Sequence, residues 1–283
     1  MTAPDKAVDR ARLVASIAAQ LGSRQEAVWI VDHAGAGLAQ VLADRREAGE
    51  PLQYVIGSWP FRTVELGLDP RVLIPRPETE HVVGVALGEL EGMCRGPGHR
   101  VCVDLGTGSG AIALSLAAEG GVFCPDLEVW ATDSSVDALA VARQNLDALG
   151  ATDRTAAGRV RLAHGSWFGA LPPELLGGVD LLVANPPYVT ESEYPHLEPV
   201  VRDWEPREAL VAATGTGGVE GMAAIEAITG DAPRWLRPSG ALVVEIAPML
   251  AAPSEAAARR AGFDRVTTGH DLTGRVRTLV AGW

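Results

Sequence analysis

Val101-Cys102-Val103-Asp104-Leu105-Gly106-Thr107-Gly108-Ser109-Gly110-Ala111-Ile112-Ala113-Leu114 is the stretch that decides the fold. A short apolar run reads as a buried strand, and it passes straight into closely spaced glycines and then a helical pattern. Glycines let the backbone pass close to a ligand and place a helix N-terminus beside it. No Gly-Lys-Ser/Thr follows, so this is not a phosphate-binding P-loop, and the full G-x-G-x-x-G dinucleotide fingerprint is not met. Taken alone, the turn is compatible with a ligand site or with nothing more than a tight strand-to-helix connection.

Moving outward, Glu128-Val129-Trp130-Ala131-Thr132-Asp133 ends the next strand with an acid. That is where ribose hydroxyls are held in nucleoside sites, although Asp133 could equally cap the helix starting at Ser135. Asp104, beside the glycines, suits a cationic ligand or is a plain turn acid. A glycine loop, a strand-end acid and no phosphate-binding Lys together describe a nucleoside without a polyphosphate. S-adenosylmethionine meets that description, and its sulfonium charge is compatible with an acidic site.

From residue 77 onward helix and strand alternate. Helix 77–92 leads to strand 100–105, helix 110–119 to strand 127–132, and helix 135–149 to strand 159–163. Strand 179–184, a helical region from about 217 to 236, strand 240–246, helix 250–261 and strands near 263–268 and 275–281 complete the series. Such alternation calls for a mainly parallel sheet covered on both faces. Before it, residues 4–48 read as short helices broken at Leu21-Gly22 and at Ala34-Gly35-Ala36-Gly37. The alternation in Trp59–Leu66 predicts a strand paired with residues 70–75 as a hairpin. The expected division is a helical unit at 1–50, a connector with a hairpin at 51–76, and an α/β domain at 77–283.

The strand Val179–Ala184 ends in Asn185-Pro186-Pro187-Tyr188. It delivers a carboxamide, two prolines with C=O acceptors but no N–H donors, and an aromatic ring to one sheet edge. Such a corner suits a planar NH2 group, two acceptors taking its hydrogens while a ring covers its face. A strand-ending turn with a packed Tyr is the plainer alternative.

Composition narrows the classes. The 283 residues suffice for a substantial core. A formal charge of −12, with 24 Lys plus Arg of which only Lys6 is lysine, lacks the footprint of a duplex-binding protein. Cys94, Cys102 and Cys124 have no metal-ligand spacing and favour reduced thiols in the cytoplasm. No signal-peptide core or 18-residue apolar run occurs. These features point to a cytoplasmic protein with no metal, no membrane segment and no stable nucleic-acid binding, and a monomer is expected beside them without following from them.

An ordered series of motifs resembles the release-factor glutamine methyltransferases, which methylate the Gln of the Gly-Gly-Gln loop in class 1 peptide chain release factors. It begins with Glu50-Pro51-Leu52-Gln53-Tyr54 and Leu73-Ile74-Pro75-Arg76-Pro77-Glu78-Thr79-Glu80. It continues through Asp104–Gly110, Ala131-Thr132-Asp133, Gly165-Ser166-Trp167-Phe168 and Asn185–Tyr188, then Asp203-Trp204-Glu205-Pro206 and Asp271-Leu272-Thr273-Gly274-Arg275. The resemblance covers residues 50–282 well and the helical N-terminus loosely.

It implies a seven-stranded class I S-adenosylmethionine-dependent, Rossmann-like fold with strand order 3-2-1-4-5-7-6 and the seventh strand antiparallel. It also implies a cofactor site at Asp104, Gly106, Thr107, Gly108, Ser109, Gly110, Asp133, Trp167 and Asn185, Trp167 bordering the adenine. Asn185, Pro186, Pro187 and Tyr188 match the glutamine-binding motif, with Asn185, Pro186 and Tyr188 as the reacting corner. Arg76, Glu78 and Glu80 have no derivable role beyond helix-start charge.

Three rivals share parts of this pattern. Adenine amino-methyltransferases acting on DNA or RNA also use Asn-Pro-Pro-Tyr, but the acidic balance disfavours them. Ribosomal-protein glutamine methyltransferases have much the same core motifs, and Ile-Pro-Arg-Pro with the N-terminal unit separates them. A binding module retaining only the fold would not need both corners. The chain departs from the family at Ala247-Pro248, after Glu245-Ile246, where relatives usually have Gly and a polar residue, and at His270.

Overall fold

The computed structural model describes residues 3–94, 98–216 and 218–283. Helices α1 (Ala3–Leu21) and α2 (Arg24–Glu47) pack on each other around Val14, Ile17, Ala27, Ile30, Val31, Ala39 and Ala43. The expected break at Leu21-Gly22 is present, with Gly22 at φ 69° and the Ser23 side chain capping α2. The expected break at Ala34–Gly37 is absent. Helix α2 runs through it, because one buried apolar face on either side of the small residues outweighs a cost of about 1 kcal/mol for each helical Gly.

A short helix α3 (Leu52–Ile56) leads to strands β1 (Ser58–Phe61) and β2 (Val64–Gly67), which pair antiparallel. The hairpin therefore closes on itself and does not use residues 70–75. Its two-residue turn, Arg62-Thr63, carries no Gly or Asn, so the alternation of Trp59–Leu66 runs across it unmarked. Arg62 adopts φ 50°, and its guanidinium is held by Glu119 at 2.6 and 2.8 Å and by the Glu80 C=O at 2.8 Å.

Helix α4 (Pro77–Met93) then opens the alternating series. Next come β3 (Arg100–Leu105), α5 (Ala111–Ser115), a π-turn (Leu116–Gly120), α6 (Gly121–Phe123) and β4 (Leu127–Asp133). Helices α7 (Val136–Thr152) and α8 (Arg154–Gly158) precede β5 (Val160–His164), and β6 (Val179–Ala184) follows. Short helices α9 (Pro199–Arg202) and α10 (Arg207–Leu210) lead to α11 (Ala223–Trp235), which starts later than expected. Residue 217, the expected start, lies outside the described residues. Strand β7 (Leu236–Glu245), α12 (Ala251–Arg260), β8 (Arg265–His270) and β9 (Val276–Gly282) complete the chain.

The seven strands order as β5-β4-β3-β6-β7-β9-β8, with β9 antiparallel to both neighbours and the other pairs parallel. Counted from β3 this is 3-2-1-4-5-7-6, as expected. Alternate strand residues feed two cores. Cys102, Leu181, Val183 and Val243 meet α4, α5 and α7 on one face, while Val103, Leu182, Leu242 and Val244 meet α11 and α12 on the other. Register aligns Leu105 with Ala184 and with Thr132, and Asp133 with His164. The residues that follow these strand ends, Gly106, Asn185 and Gly165, therefore lie along one sheet edge.

Candidate active site

A crevice of about 310 Å³ opens at that edge. Its walls come from Gly106–Ser109 after β3, Asp133–Ser135 after β4, Gly165–Trp167 after β5, Asn185 and Pro187 after β6, and Pro206, Glu208 and Ala209. Arg71, Val72, Leu73, Pro75 and Thr79 close the remaining side.

The glycine loop is held by the end of β4. Gly106 N–H and Thr107 N–H both donate to the Thr132 C=O at 2.9 and 2.8 Å, and Gly108 N–H donates to Asp133 Oδ2 at 2.8 Å. Gly108 adopts φ 54°, and a Cβ there would point into open space. Gly106, at φ 76°, sits under the Trp167 ring, where a Cβ would come within 3.3 Å of it. Trp167 itself holds φ 45°, a conformation costly for a large side chain, so its ring is fixed over the loop at some backbone cost. Gly110 stays behind the crevice as the residue preceding α5.

Asp133 lines the crevice and does not cap α7. Its Oδ1 accepts Ser135 N–H at 2.9 Å and its Oδ2 holds the glycine loop, while the carboxylate lines the crevice. The cap of α7 is Ser135, whose hydroxyl accepts Ala138 N–H.

Asp104 is not in the crevice wall, contrary to expectation. It is fully buried beneath the loop, where its Oδ2 accepts the Thr107 hydroxyl at 2.6 Å and Ala113 N–H at 3.2 Å. Strand alternation turns this side chain into the core. Burial pushes its carboxyl up to about 7, with the two hydrogen bonds opposing the shift.

At the other end, Asn185 Nδ2 donates to Thr79 Oγ1 at 3.3 Å. Pro187 lines the crevice, whereas Pro186 and Tyr188 lie beside it; Tyr188 packs against the second core and burial raises its hydroxyl pKa. The Tyr188 C=O lies against Gly221, where a Cβ would approach to 2.5 Å.

A Bordetella pertussis protein named release factor glutamine methyltransferase is 43% identical over 233 residues, 82% of this chain and 78% of its own. One of that name from Bifidobacterium longum is 39% identical over 246 residues, 86% and 79% of the two chains. The chain belongs to the release factor glutamine methyltransferase family. The Methyltransferase small domain family matches residues 91–198.

Two solved structures share the fold at low identity. They are a methyltransferase from Pyrococcus furiosus (19% identity, TM-score 0.52, 78% of this chain and 91% of that one) and the N-terminal domain of human METTL16 in complex with SAH (17%, 0.53, 84% and 83%).

Within this family member, Arg76, Glu78 and Glu80 each bind a residue distant in sequence, and Arg76 braces the crevice wall. Arg76 donates to Glu205 Oε1 at 2.5 Å, and Ile74 N–H donates to Glu205 Oε2 at 3.2 Å, so Ile-Pro-Arg-Pro is clamped to Asp-Trp-Glu-Pro. Glu78 pairs with Arg277, which also reaches Asp271. Glu80 accepts Arg62 N–H from the hairpin turn. Asn145 on α7 went unremarked in the sequence, yet its carboxamide binds Gly67 N–H, the Gly67 C=O and the Ser109 C=O, joining hairpin and glycine loop. A lone Asn in a helix gives no signal of such a bridge.

Proposed function

We propose that this chain transfers a methyl group from S-adenosylmethionine to the side-chain nitrogen of the glutamine in the Gly-Gly-Gln loop of a class 1 release factor. The observation that carries the proposal is convergence: the glycine loop and Asn185 and Pro187 of the Asn-Pro-Pro-Tyr turn, 75 or more residues apart in sequence, line one crevice. Ligands of open α/β sheets bind at this edge.

The residues present fit the cofactor. Gly108 leaves space at the loop, Asp133 presents a carboxylate with lone pairs remaining, and the Trp167 ring offers a flat apolar face to an adenine. S-adenosylmethionine supplies, when bound, an electrophilic methyl group on a sulfonium.

The protein's own task is alignment. A glutamine nitrogen is a poor nucleophile because its lone pair is delocalised into the C=O. Asn185 Oδ1 and the Pro186 C=O accept its two hydrogens, orient the NH2 group and enrich its electron density. Tyr188 bounds the amide plane. Positioning of this kind supplies several kcal/mol of a barrier, roughly up to 10 in model systems. No strong base is required, since the methylated nitrogen is cationic and acidic and releases its proton afterwards.

The helical unit at 1–50 is the proposed contact surface for the protein substrate, and the enzyme is proposed to act as a cytoplasmic monomer. The acidic charge supports a protein target over DNA or RNA.

The test is incubation of the purified chain with labelled S-adenosylmethionine and, separately, a release factor, its Gln-to-Ala loop variant, ribosomal protein and DNA. Label is expected on the wild-type factor alone, and Asn185→Ala is expected to abolish it with the fold retained. Equal labelling of the loop variant would refute the target residue.

A further inference from the structure

The two ends of the Asn185 carboxamide are alike in shape, but only one is useful. A glutamine NH2 offers donors, so Oδ1 has to face the crevice and Nδ2 has to face away. The decision is made behind Asn185. Its Nδ2 lies 3.3 Å from Thr79 Oγ1, and the Thr79 hydroxyl donates to Glu245 Oε2 at 2.7 Å. A hydroxyl has one proton. With that proton committed to a carboxylate, Thr79 presents only lone pairs to Asn185, and only Nδ2 can answer them. The chain carboxylate, hydroxyl, amide therefore has a direction.

The three members come from three elements. Thr79 is in the first turn of α4, Glu245 ends β7 and Asn185 follows β6. Thr79 and Glu245 are buried, at 3% and 2% exposure. A carboxylate at such depth is costly to keep without partners.

We propose that Thr79 and Glu245 are positioning residues for methyl transfer, fixing the Asn185 carboxamide with its oxygen toward the substrate nitrogen. The proposal rests on the glutamine reading of the site.

Protonation of Glu245 reverses the chain. Its O–H then donates to Thr79, the Thr79 proton is free for Asn185 Oδ1, and the amide presents NH2 to the NH2 of the substrate. The groups facing Glu245 are Arg76, Glu78 and Thr79 at the start of α4, Arg277 on β9, and Tyr188 after β6. Burial raises the Glu245 carboxyl to about 7, against the pull of Thr79 and the two arginines. The productive orientation is accordingly held above that pH and lost below it.

The test uses the full chain with a release factor as substrate and the variants Thr79→Val, Thr79→Ser and Glu245→Gln. Thr79→Val should lower kcat about tenfold to a hundredfold while cofactor affinity stays within about twofold. Thr79→Ser, which restores the hydroxyl, should recover to within about threefold of wild type. Wild-type kcat should fall as pH drops below about 7, and Glu245→Gln should lack that acid limb. Unchanged kcat in Thr79→Val, or an acid limb that persists in Glu245→Gln, overturns the relay.

A second readout needs no turnover. The Asn185 side-chain amide signal in ¹⁵N NMR, identified by its loss in Asn185→Ala, should titrate near neutral pH in wild type and be pH-independent in Glu245→Gln. An Asn185 signal that does not titrate in wild type overturns the relay whatever the substrate. Absence of factor methylation by wild type with a titrating signal overturns the target assignment instead.

Discussion

Gly218 and Gly221 hold nearly the same left-handed backbone, φ 77° and 78°, yet a methyl group added at each would meet different surroundings. Among the described residues nothing lies within 4 Å at Gly218, whereas at Gly221 the Tyr188 carbonyl oxygen is 2.5 Å away. Gly218→Ala therefore carries only the conformational cost of an L-residue at positive φ, about 1–2 kcal/mol. Gly221→Ala carries that cost plus an overlap with backbone that has to open by about 1 Å to reach ordinary contact, and overpacking of this kind adds about 1–3 kcal/mol.

The displaced carbonyl belongs to Asn-Pro-Pro-Tyr, where two prolines transmit the shift toward Asn185 and do not absorb it. A misplacement of about 1 Å at a reacting group costs on the order of 10²-fold, so kcat should fall roughly tenfold to a hundredfold in Gly221→Ala. In Gly218→Ala it should stay within about twofold of wild type. Urea denaturation gives the stabilities, steady-state methylation of a release factor gives kcat, and calorimetry checks cofactor affinity. If the two variants match in both stability and kcat, the close approach of Gly221 to the substrate turn has no functional meaning.

Removing the Trp167 ring by Trp167→Ala should weaken cofactor binding by about 1–3 kcal/mol, the usual worth of an aromatic platform under a base; titration calorimetry measures this, and unchanged affinity would remove Trp167 from the site. Arg76→Ala leaves the Glu205 carboxylate at 2% side-chain exposure without its cation. Because Arg76 is itself about one-third exposed, the expected loss is about 2–3 kcal/mol in urea denaturation, below the range for fully buried pairs; a loss under about 0.5 kcal/mol would show that the clamp is dispensable.

Asp104→Asn tests the buried acid. With its folded value raised to about 7, Asp104 stabilises wild type at low pH, and that contribution is lost as pH rises through about 7. Between about pH 5 and pH 8 the wild type should lose roughly 2.7 kcal/mol relative to the variant, from ~1.4 kcal/mol per pH unit over the two units below the folded value. A stability difference independent of pH would refute the assignment.

Much of the fold was legible because its signals are local. Strand, glycine turn and helix occupy one contiguous stretch at Val101–Leu114, and apolar runs such as Val179–Ala184 announce strands buried on both faces. The turn at Arg62-Thr63 was not legible. Its positive φ falls on an arginine whose stabilising partners, Glu119 and Glu80, are distant in sequence. Helix α2 kept going through Ala34–Gly37 because packing on α1 overrode local propensity. The corner residues were legible as types, but their depth was not. Whether Asp104 faces the crevice or the core depends on a strand face that both cores need equally. The contacts Arg76–Glu205, Thr79–Glu245 and Asn145–Gly67 span 129, 166 and 78 residues, and no local pattern encodes them.

Those long-range contacts have a common logic. The chemistry proposed here uses no strong acid or base, so its rate has to come from alignment, and alignment requires walls that do not yield. The segment Arg71–Pro75 is irregular, and it would be the weakest wall of the crevice if left to itself. It is instead fastened from separate directions. The Tyr54 hydroxyl donates to the Val72 C=O, Glu205 takes Ile74 N–H and the Arg76 guanidinium, and Asp69 holds the Arg71 backbone and side chain. Each fastening residue lies outside the crevice itself, and two of them sit in Glu-Pro-Leu-Gln-Tyr and Asp-Trp-Glu-Pro. Motifs that look like scattered surface charge are, in three dimensions, the frame that lets a loop behave like a strand beside Asn185.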